Sequence, residues 1–511
     1  MYGLSALHTR LSDPVAALFY FIFACLSNEL QNSGKPDIIE KALYEERIRN
    51  EAIHMNSLMK SYFNALRGKR TAVLGIGVSN RPLIRLLLQY GISVTACDKT
   101  LREDLDPEVL ELEQAGAVLH VGPDYLENLT ADVVFRTPGM HPNIPALQKL
   151  REQGAVVTSE MEAFFSVCPC PIVAVTGSDG KTTTTTLIAE ILRHAGKTVW
   201  IGGNIGQPLL PLADQMAPDH LAVVELSSFQ LMNMTQSPHI AVVTNLAPNH
   251  LDIHKDMEEY VRAKENIYLH QGKDDLLVLN LDNDITASFA QKAPGKISWF
   301  SRNTVPPCGA WLEGDTVYYE GKAVMTRSGI LLPGMHNVEN YMAALCATRE
   351  YASLEDVAAV AASFGGVEHR IELVRTLNGV RYYNDSIASS PSRTIAGLHS
   401  FDQKVILIAG GYDKHIPFDV LGPEITSHVK RLILCGHTAE KIREAVLRSP
   451  EYREGAPEIR LVSSLEEAVQ DAHAYAAPGD VVTLSPACAA FDQFKNFMVR
   501  GQVYKDLVRA L

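Results

Sequence analysis

The residues best suited to chemistry in this 511-residue chain lie in the run "TGSDGKTT", from Thr176 to Thr183. Gly177 and Gly180 let successive backbone N–H groups converge on one anion, and a helix opening at the lysine adds its positive N-terminal end. Lys181 brings a charge that reaches β- and γ-phosphates, while the Thr182 hydroxyl is a Mg²⁺ ligand type. Strict phosphate-loop spacing wants a further glycine at 175, where this chain has Val175. The bland alternative is a strand-to-helix turn whose threonines merely cap the helix.

A phosphate loop needs a metal carboxylate nearby. Glu225 ends the apolar run "HLAVVE", at the C-terminal strand edge where open α/β sheets bind ligands. His250 and Asp252 follow another apolar run in "TNLAPNHLDIH"; a lone histidine there is more often structural than metal-bound. In "DMEEYVRAKENIYLH", Met257, Tyr260, Val261, Ile267 and Tyr268 trace one helical face, and Lys264 falls on it. A buried ammonium is costly unless paired or chemically altered. Either Lys264 snorkels to water, or it is a neutral amine that has captured CO₂ to become a long carboxylate able to bridge metal ions.

Other candidates are individually ambiguous. "GIGVSN" has Gly75 and Gly77, but Asn80 stands where a dinucleotide fingerprint wants a small residue. Asp98 ends the next strand as a ribose-binding acid would. Asn337 and Asn340 are three apart on an Ala-rich helix, where they could read an adenine edge or cap the helix. Arg370 in "EHRIE" and Asp385 at a strand end in "YYNDS" are further candidates, and Lys414 in "GGYDKH" sits in a loop after a buried strand, well placed for a substrate carboxylate. Surface ion pairing is the ordinary role of such residues.

Short β-branched runs alternating with helical patterns must position these groups, which is the mark of parallel sheets covered by helices. Three α/β blocks are expected over 55–160, 161–366 and 367–511. Residues 1–54 form a leader of doubtful status, and its apolar stretch Pro14 to Ser27 is too short to span a bilayer comfortably. The net charge of −13 argues against nucleic acid or an anionic membrane as the main partner. The eight cysteines show no zinc-type spacing and read as reduced thiols in cytoplasm.

The order of motifs "TGSDGKTT", "GGNIG", "ELSSFQL", "NHLDIH", "YVRAKENIY", "HNVENYMAAL" and "HRIE" resembles the Mur ligases. "YYNDSIASS" and "LSPACAAFDQFKNFMVRG" resemble the branch that adds D-glutamate. The resemblance implies an α/β fold of three domains: a Rossmann-like N-terminal domain, a central P-loop ATPase-like domain and a Rossmann-like C-terminal domain. It implies that Gly177, Ser178, Asp179, Gly180, Lys181, Thr182 and Thr183 hold ATP phosphates. Asn337 and Asn340 would contact adenine, and Arg370 and Asp385 would close over the nucleotide. Two Mg²⁺ ions would be held by Thr182 and Glu225, and by His250 and a carbamylated Lys264. Val78, Ser79, Asp98, Lys99 and Thr137 would bind a UDP-sugar, with Asn204 and Ser227 at its peptide end. Ser389, Lys414 and Phe497 would form the D-glutamate pocket. The substrates implied are UDP-N-acetylmuramoyl-L-alanine and D-glutamate, in a cytoplasmic monomer with no stable membrane insertion. Two positions depart from the family pattern: Ile387 replaces a usual lysine and Ala490 a usual serine. Rival readings are a nucleotide-binding regulator without turnover and an NAD-dependent oxidoreductase built on "GIGVSN".

Overall fold

The computed structural model describes residues 58–248, 254–414 and 416–511. Three separate α/β sheets follow one another along the chain. The first has order β3-β2-β1-β4-β5, from β1 (Thr71–Leu74), β2 (Val94–Asp98), β3 (Val118–Val121), β4 (Val133–Arg136) and β5 (Val156–Thr158). All its pairings are parallel. The strand order reverses at β1, so the loops after β1 and β4 meet at a crevice, the place where such sheets bind ligands.

The second sheet comprises β6 (Ile172–Thr176), β7 (Val199–Gly203), β8 (Leu221–Glu225), β9 (Ile240–Val243), β10 (Leu276–Asn280), β11 (Lys296–Ser301), β12 (Gly309–Glu313), β13 (Thr316–Tyr319) and β14 (Lys322–Thr326). Its order is β14-β13-β12-β11-β10-β9-β6-β8-β7, parallel up to β12 and antiparallel beyond it. The third holds β15 (Glu372–Leu377), β16 (Val380–Asn384), β17 (Val405–Ala409), β18 (Val429–Leu434), β19 (Glu458–Leu461) and β20 (Val481–Leu484). Its order is β15-β16-β20-β17-β18-β19, with only β15 antiparallel. The central strands read as continuous apolar runs because helices cover both faces; β6, β8 and β17 are buried at every residue.

Six helices position the residues discussed below: α1 (Asn80–Gln89), α2 (Glu160–Val167), α3 (Lys181–His194), α4 (Met257–Glu265), α5 (Met335–Thr348) and α6 (Phe497–Ala510). On one face of the second sheet, α3 buries Leu187, Ile188, Ile191 and Leu192 against Val338, Tyr341, Met342 and Leu345 of α5. Each such apolar side chain contributes about 1.5–3 kcal/mol on burial. The other face shares one core with the first sheet, running from Phe63 and Leu83 through Phe164 and Leu209 to Tyr260 and Tyr268. The third sheet has its own core on each face.

α4 ends at Glu265, short of the apolar stripe read from the sequence. Asn266 caps it and donates its side-chain amide to the carbonyls of Leu231 and Met232, while Ile267 and Tyr268 stay buried in the following turn. The apolar leader segment lies outside the described residues. Among the described residues no helix is long and apolar enough to cross a membrane, and every cysteine is a free thiol.

Candidate active site

The glycine-rich loop joins β6 to α3, and close approach of other chain segments explains its glycines. Gly177 has φ +151°, and a Cβ there would lie 1.9 Å from Thr244 Oγ1. Gly180 has φ +77°, and a Cβ would lie 2.4 Å from Asn340 Oδ1. The segment after β9 pins the loop from one side. Ser178 N–H donates to the Asn245 carbonyl at 2.8 Å, Asp179 N–H to Asn245 Oδ1 at 3.0 Å, and Thr244 Oγ1 to the Asp179 carbonyl at 2.6 Å. Ser178 Oγ also contacts the Tyr260 hydroxyl at 3.0 Å.

Lys181 folds back over this loop, donating to the carbonyls of Ser178 at 2.7 Å and Gly177 at 3.0 Å. Burial draws its pKa below the usual lysine value. Thr183, one residue beyond Thr182, is half-buried in the first turn of α3. Thr182 Oγ1 donates to Glu225 Oε2 at 2.7 Å, and the Asn204 amide to Glu225 Oε1 at 2.7 Å. Glu225 is 1% exposed. A hydroxyl and a carboxylate at this spacing are the hard oxygen donors that Mg²⁺ selects, so the donor set fits that ion.

Lys264 does not snorkel. It is 1% exposed, and its amine donates to Thr176 Oγ1 and the Gly177 carbonyl, each at 2.9 Å. It also lies 4.9 Å from the centre of the Tyr260 ring. Among the described residues it forms no ion pair within salt-bridge reach. Burial, reinforced by the charge of Lys181, holds its pKa well below the ordinary value. Both effects favour the neutral, nucleophilic amine over the ammonium. His250 lies outside the described residues. His254, four residues on, is buried, with Nε2 2.9 Å from Ser228 Oγ and its ring stacked on Phe229.

Asn340 lies against the loop: Thr184 Oγ1 donates to its Oδ1 at 3.2 Å, and its amide donates to Asn337 Oδ1 at 3.1 Å. Asn337 in turn donates to the Pro333 carbonyl at 2.6 Å. The pair thus braces the phosphate loop from α5, and Asn340 is the contact that keeps Gly180 free of a side chain.

From the third sheet, Arg370 sits between two residues of positive φ, His369 (62°) and Ile371 (44°). Burial lowers its pKa, against the attraction of Asp385 and Glu225. Asp385 follows β16, accepts from Ser485 Oγ at 2.7 Å, and is driven by burial to a pKa of about 7. Ser389 is half-buried just beyond it, and Lys414 is exposed in the loop after β17. Phe497 opens α6 and packs edge-on against His369. Arg500 holds this region together through carbonyls: it donates to the Ser386 and Cys488 carbonyls at 2.8 and 3.0 Å, and to the Ala489 carbonyl at 3.1 Å. Ile387 is half-buried and Ala490 buried.

In the first sheet, Val78 is 78% exposed and Lys99 is exposed, while Ser79 is half-buried. Asp98 is turned inward: burial alone would raise its pKa, but the hydrogen bonds from Ile76 N–H at 2.7 Å and from Thr100 bring it below the usual value. Its carboxylate therefore builds the glycine turn. Asn80 completes that turn, donating to the Gly75 carbonyl at 2.8 Å. A Cβ at Gly75 would meet the Thr137 side chain at 2.8 Å, so the loops after β1 and β4 touch. Ser227 caps a short helix through Gln230. Between the first and second sheets lies a cavity of about 200 Å³ lined by Val78, Ser79, Pro138, Glu160, Asn204 and Gln230, among others.

Thr176, Thr244, Asn245, Glu160 and Arg500 were not singled out from sequence, and Tyr260 was read only as a position on the apolar helical face. Thr244 and Asn245 follow β9 as Glu225 ends β8, so the strand-end rule would have found them. Arg500 and Glu160 carry no local signal.

The sequence matches the Mur ligase middle domain over residues 175–348 and the Mur ligase glutamate ligase domain over residues 369–488. It is 51% identical to a UDP-N-acetylmuramoylalanine–D-glutamate ligase of Acetivibrio thermocellus, over 89% of this chain and 100% of that protein. A protein of the same name from Clostridium botulinum is 50% identical, over 89% of this chain and all of the relative. Among solved structures, the UDP-N-acetylmuramate–alanine ligase of Thermotoga maritima superposes with a TM-score of 0.53 at 17% identity, covering 86% of this chain and 99% of that one. At that identity the likeness speaks to the fold.

Proposed function

The chain belongs to the Mur ligase family, and from that premise we propose that it joins D-glutamate to UDP-N-acetylmuramoyl-L-alanine at the expense of ATP, in the synthesis of peptidoglycan precursors. The observation that carries the reading is the meeting of Lys181, the Thr182–Glu225 pair and the buried Lys264 amine around one glycine-rich loop. In this reading residues 55–160 present the UDP-sugar, 161–366 hold ATP and 367–511 bring the amino acid.

A carboxylate and an amine do not condense in neutral water until the acid gains a leaving group. The L-alanine carboxylate attacks the γ-phosphate, giving an acyl phosphate and ADP. The D-glutamate amine then adds to the carbonyl, and the tetrahedral intermediate expels phosphate. Two anions meet in the first step, so charge placed in advance by Lys181 lowers its barrier. Magnesium, when bound, supplies further neutralisation of the phosphate oxygens; Thr182 and Glu225 would hold one ion, and His250 with Lys264 the second. Lys264 fits that role as a carbamate, formed when its neutral amine adds to CO₂ and loses a proton. Gly177, Ser178, Asp179, Gly180 and Thr183 cradle the phosphates through backbone and hydroxyl groups, while Asn337 and Asn340 support the adenine side. Arg370 and Asp385 approach the nucleotide from the third sheet, and Ser389, Lys414 and Phe497 receive D-glutamate. Ile387 and Ala490 leave that pocket with fewer polar contacts than the family pattern provides. Val78, Ser79, Asp98, Lys99 and Thr137 shape the UDP-sugar site, with Asn204 and Ser227 at its acyl end. All three substrates are polar anions, costly to move into a bilayer, which supports a cytoplasmic site of action, and the chain works there as a monomer in this reading.

The test is phosphate release and product mass with ATP, Mg²⁺ and UDP-N-acetylmuramoyl-L-alanine, adding single amino acids in turn. Release with D-glutamate alone, with the mass of the new amide, is expected. Release with a different amino acid would overturn the acceptor and make positions 387 and 490 the specificity switch.

A further inference from the structure

Glu160 opens α2 at the junction of the first and second sheets, and no step above uses it. It is 6% exposed, and its only hydrogen bond among the described residues is from Leu210 N–H to Oε1, at 3.2 Å. That contact accounts for one carboxylate oxygen. The residue lines the 200 Å³ cavity together with Val78 and Ser79 from one side and Asn204 and Gln230 from the other. The other oxygen has no protein donor among the described residues and is not sealed off from the cavity, so a donor entering there can reach it. Burial, only partly offset by the Leu210 bond, pushes the pKa of this group up to about 7, as expected of an acid short of donors.

The lining narrows what the missing donor is. Among the described residues no lysine or arginine lines the cavity, and its polar wall otherwise consists of hydroxyl, amide and backbone groups. At its inner end Asn204 is already committed to Glu225, at 2.7 Å, so the cavity leads from the exposed Val78 loop towards the carboxylate beside the phosphate loop. A neutral ligand chain with an amide N–H or a hydroxyl matches this wall.

We infer that Glu160 is a substrate-binding residue, whose second carboxylate oxygen accepts a hydrogen bond from an amide N–H or hydroxyl of the UDP-linked acyl substrate as that chain passes towards Asn204. The inference rests on the ligase reading above and adds a contact that orients the acyl chain before its carboxylate meets ATP.

Glu160→Gln keeps the size of the side chain and an acceptor for Leu210 N–H while removing the charge; Glu160→Ala removes both. Titration calorimetry with UDP-N-acetylmuramoyl-L-alanine and full steady-state kinetics would be measured on both variants and on the wild type. Glu160→Gln is expected to raise the Kd and KM for the UDP-substrate about 10-fold or more, the scale of one charged hydrogen bond. The KM values for ATP and D-glutamate should stay within about twofold, and Tm should be unchanged. A Glu160→Gln protein with wild-type Kd for the UDP-substrate overturns the contact. So does a loss spread evenly over all three substrates with a lowered Tm, which makes Glu160 only a cap for the Leu210 turn. Wild-type protein that neither binds nor turns over the UDP-substrate is a separate result: it overturns the ligase reading itself, and this inference with it.

Discussion

Lys264 is 1% exposed, and among the described residues its amine donates to a threonine hydroxyl and a backbone carbonyl alone, surroundings that favour the uncharged form. Lys264→Ala is expected to lose most activity and to regain part of it when a small carboxylic acid is added to replace the carbamate; near-normal turnover of the unrescued variant would refute the carbamate. Lys181→Ala should slow turnover by about 10²-fold, the scale of one preorganised charge contact, and an unchanged rate would move the chemistry off this loop. Asp385 gives a pH test. Burial raises its folded pKa to about 7 from the ordinary aspartate value near 3.8, so between these values the native state binds more protons than the unfolded chain and stability falls as pH rises. That loss begins near the unfolded pKa and is complete once pH has risen through the folded one. Asp385→Asn removes the dependence, so melting curves should show the variant gaining on wild type, by up to a few kcal/mol, between pH 5 and pH 8. A gap that does not change with pH would mean that Asp385 is not held protonated. Lys264 was legible in the sequence because a charge on an apolar helical stripe is a local anomaly. Arg500 and Glu160 were not, since Arg500 bonds Ser386, 114 residues away, and Glu160 bonds Leu210, 50 residues away.

The phosphate loop is an element whose shape depends on its neighbours. Gly180→Ala must place a Cβ 2.4 Å from Asn340 Oδ1 at φ +77°, costing about 1–2 kcal/mol in backbone strain alone and pushing α5 from α3. Its expected signature is a lowered Tm together with a raised KM for ATP; a variant with wild-type values for both would mean that the Asn340 brace is unimportant. The loop, its flanking strand and its helix were readable from local pattern, as were β8, β9, β17 and β20, because buried parallel strands are plain apolar runs. The bracing by Thr244, Asn245 and Asn340 depends on which strands adjoin β6, an order that no local pattern states. The end of α4 was misjudged for a related reason: Asn266 stops the helix through carbonyls of the chain at 231–232, while burial of Ile267 and Tyr268 continues the apolar period past it.

Over the whole molecule, one apolar core joins the first and second sheets, whereas the third sheet buries its own two faces separately. Cooperative unfolding follows shared cores, so calorimetry should show two transitions, with residues from about 367 onward melting as one unit; a single transition would mean tighter coupling than the cores provide. Under the proposed function, the same division would let the third sheet close on ATP and exclude water from the acyl phosphate. The α/β class and the three blocks could be read from alternating strand and helix patterns. That two of the blocks share one core could not, because it depends on the faces that α2 and the segment around Leu209 present to each other.

The central claim is that the substrate carboxylate is activated by phosphoryl transfer before the amine attacks, and oxygen labelling tests it directly. UDP-N-acetylmuramoyl-L-alanine carrying ¹⁸O in the alanine carboxylate would be turned over with ATP and D-glutamate, and the released phosphate weighed by mass spectrometry. An acyl phosphate requires one labelled oxygen to leave with each phosphate. Unlabelled phosphate, formed at the same rate as the amide, would contradict this account.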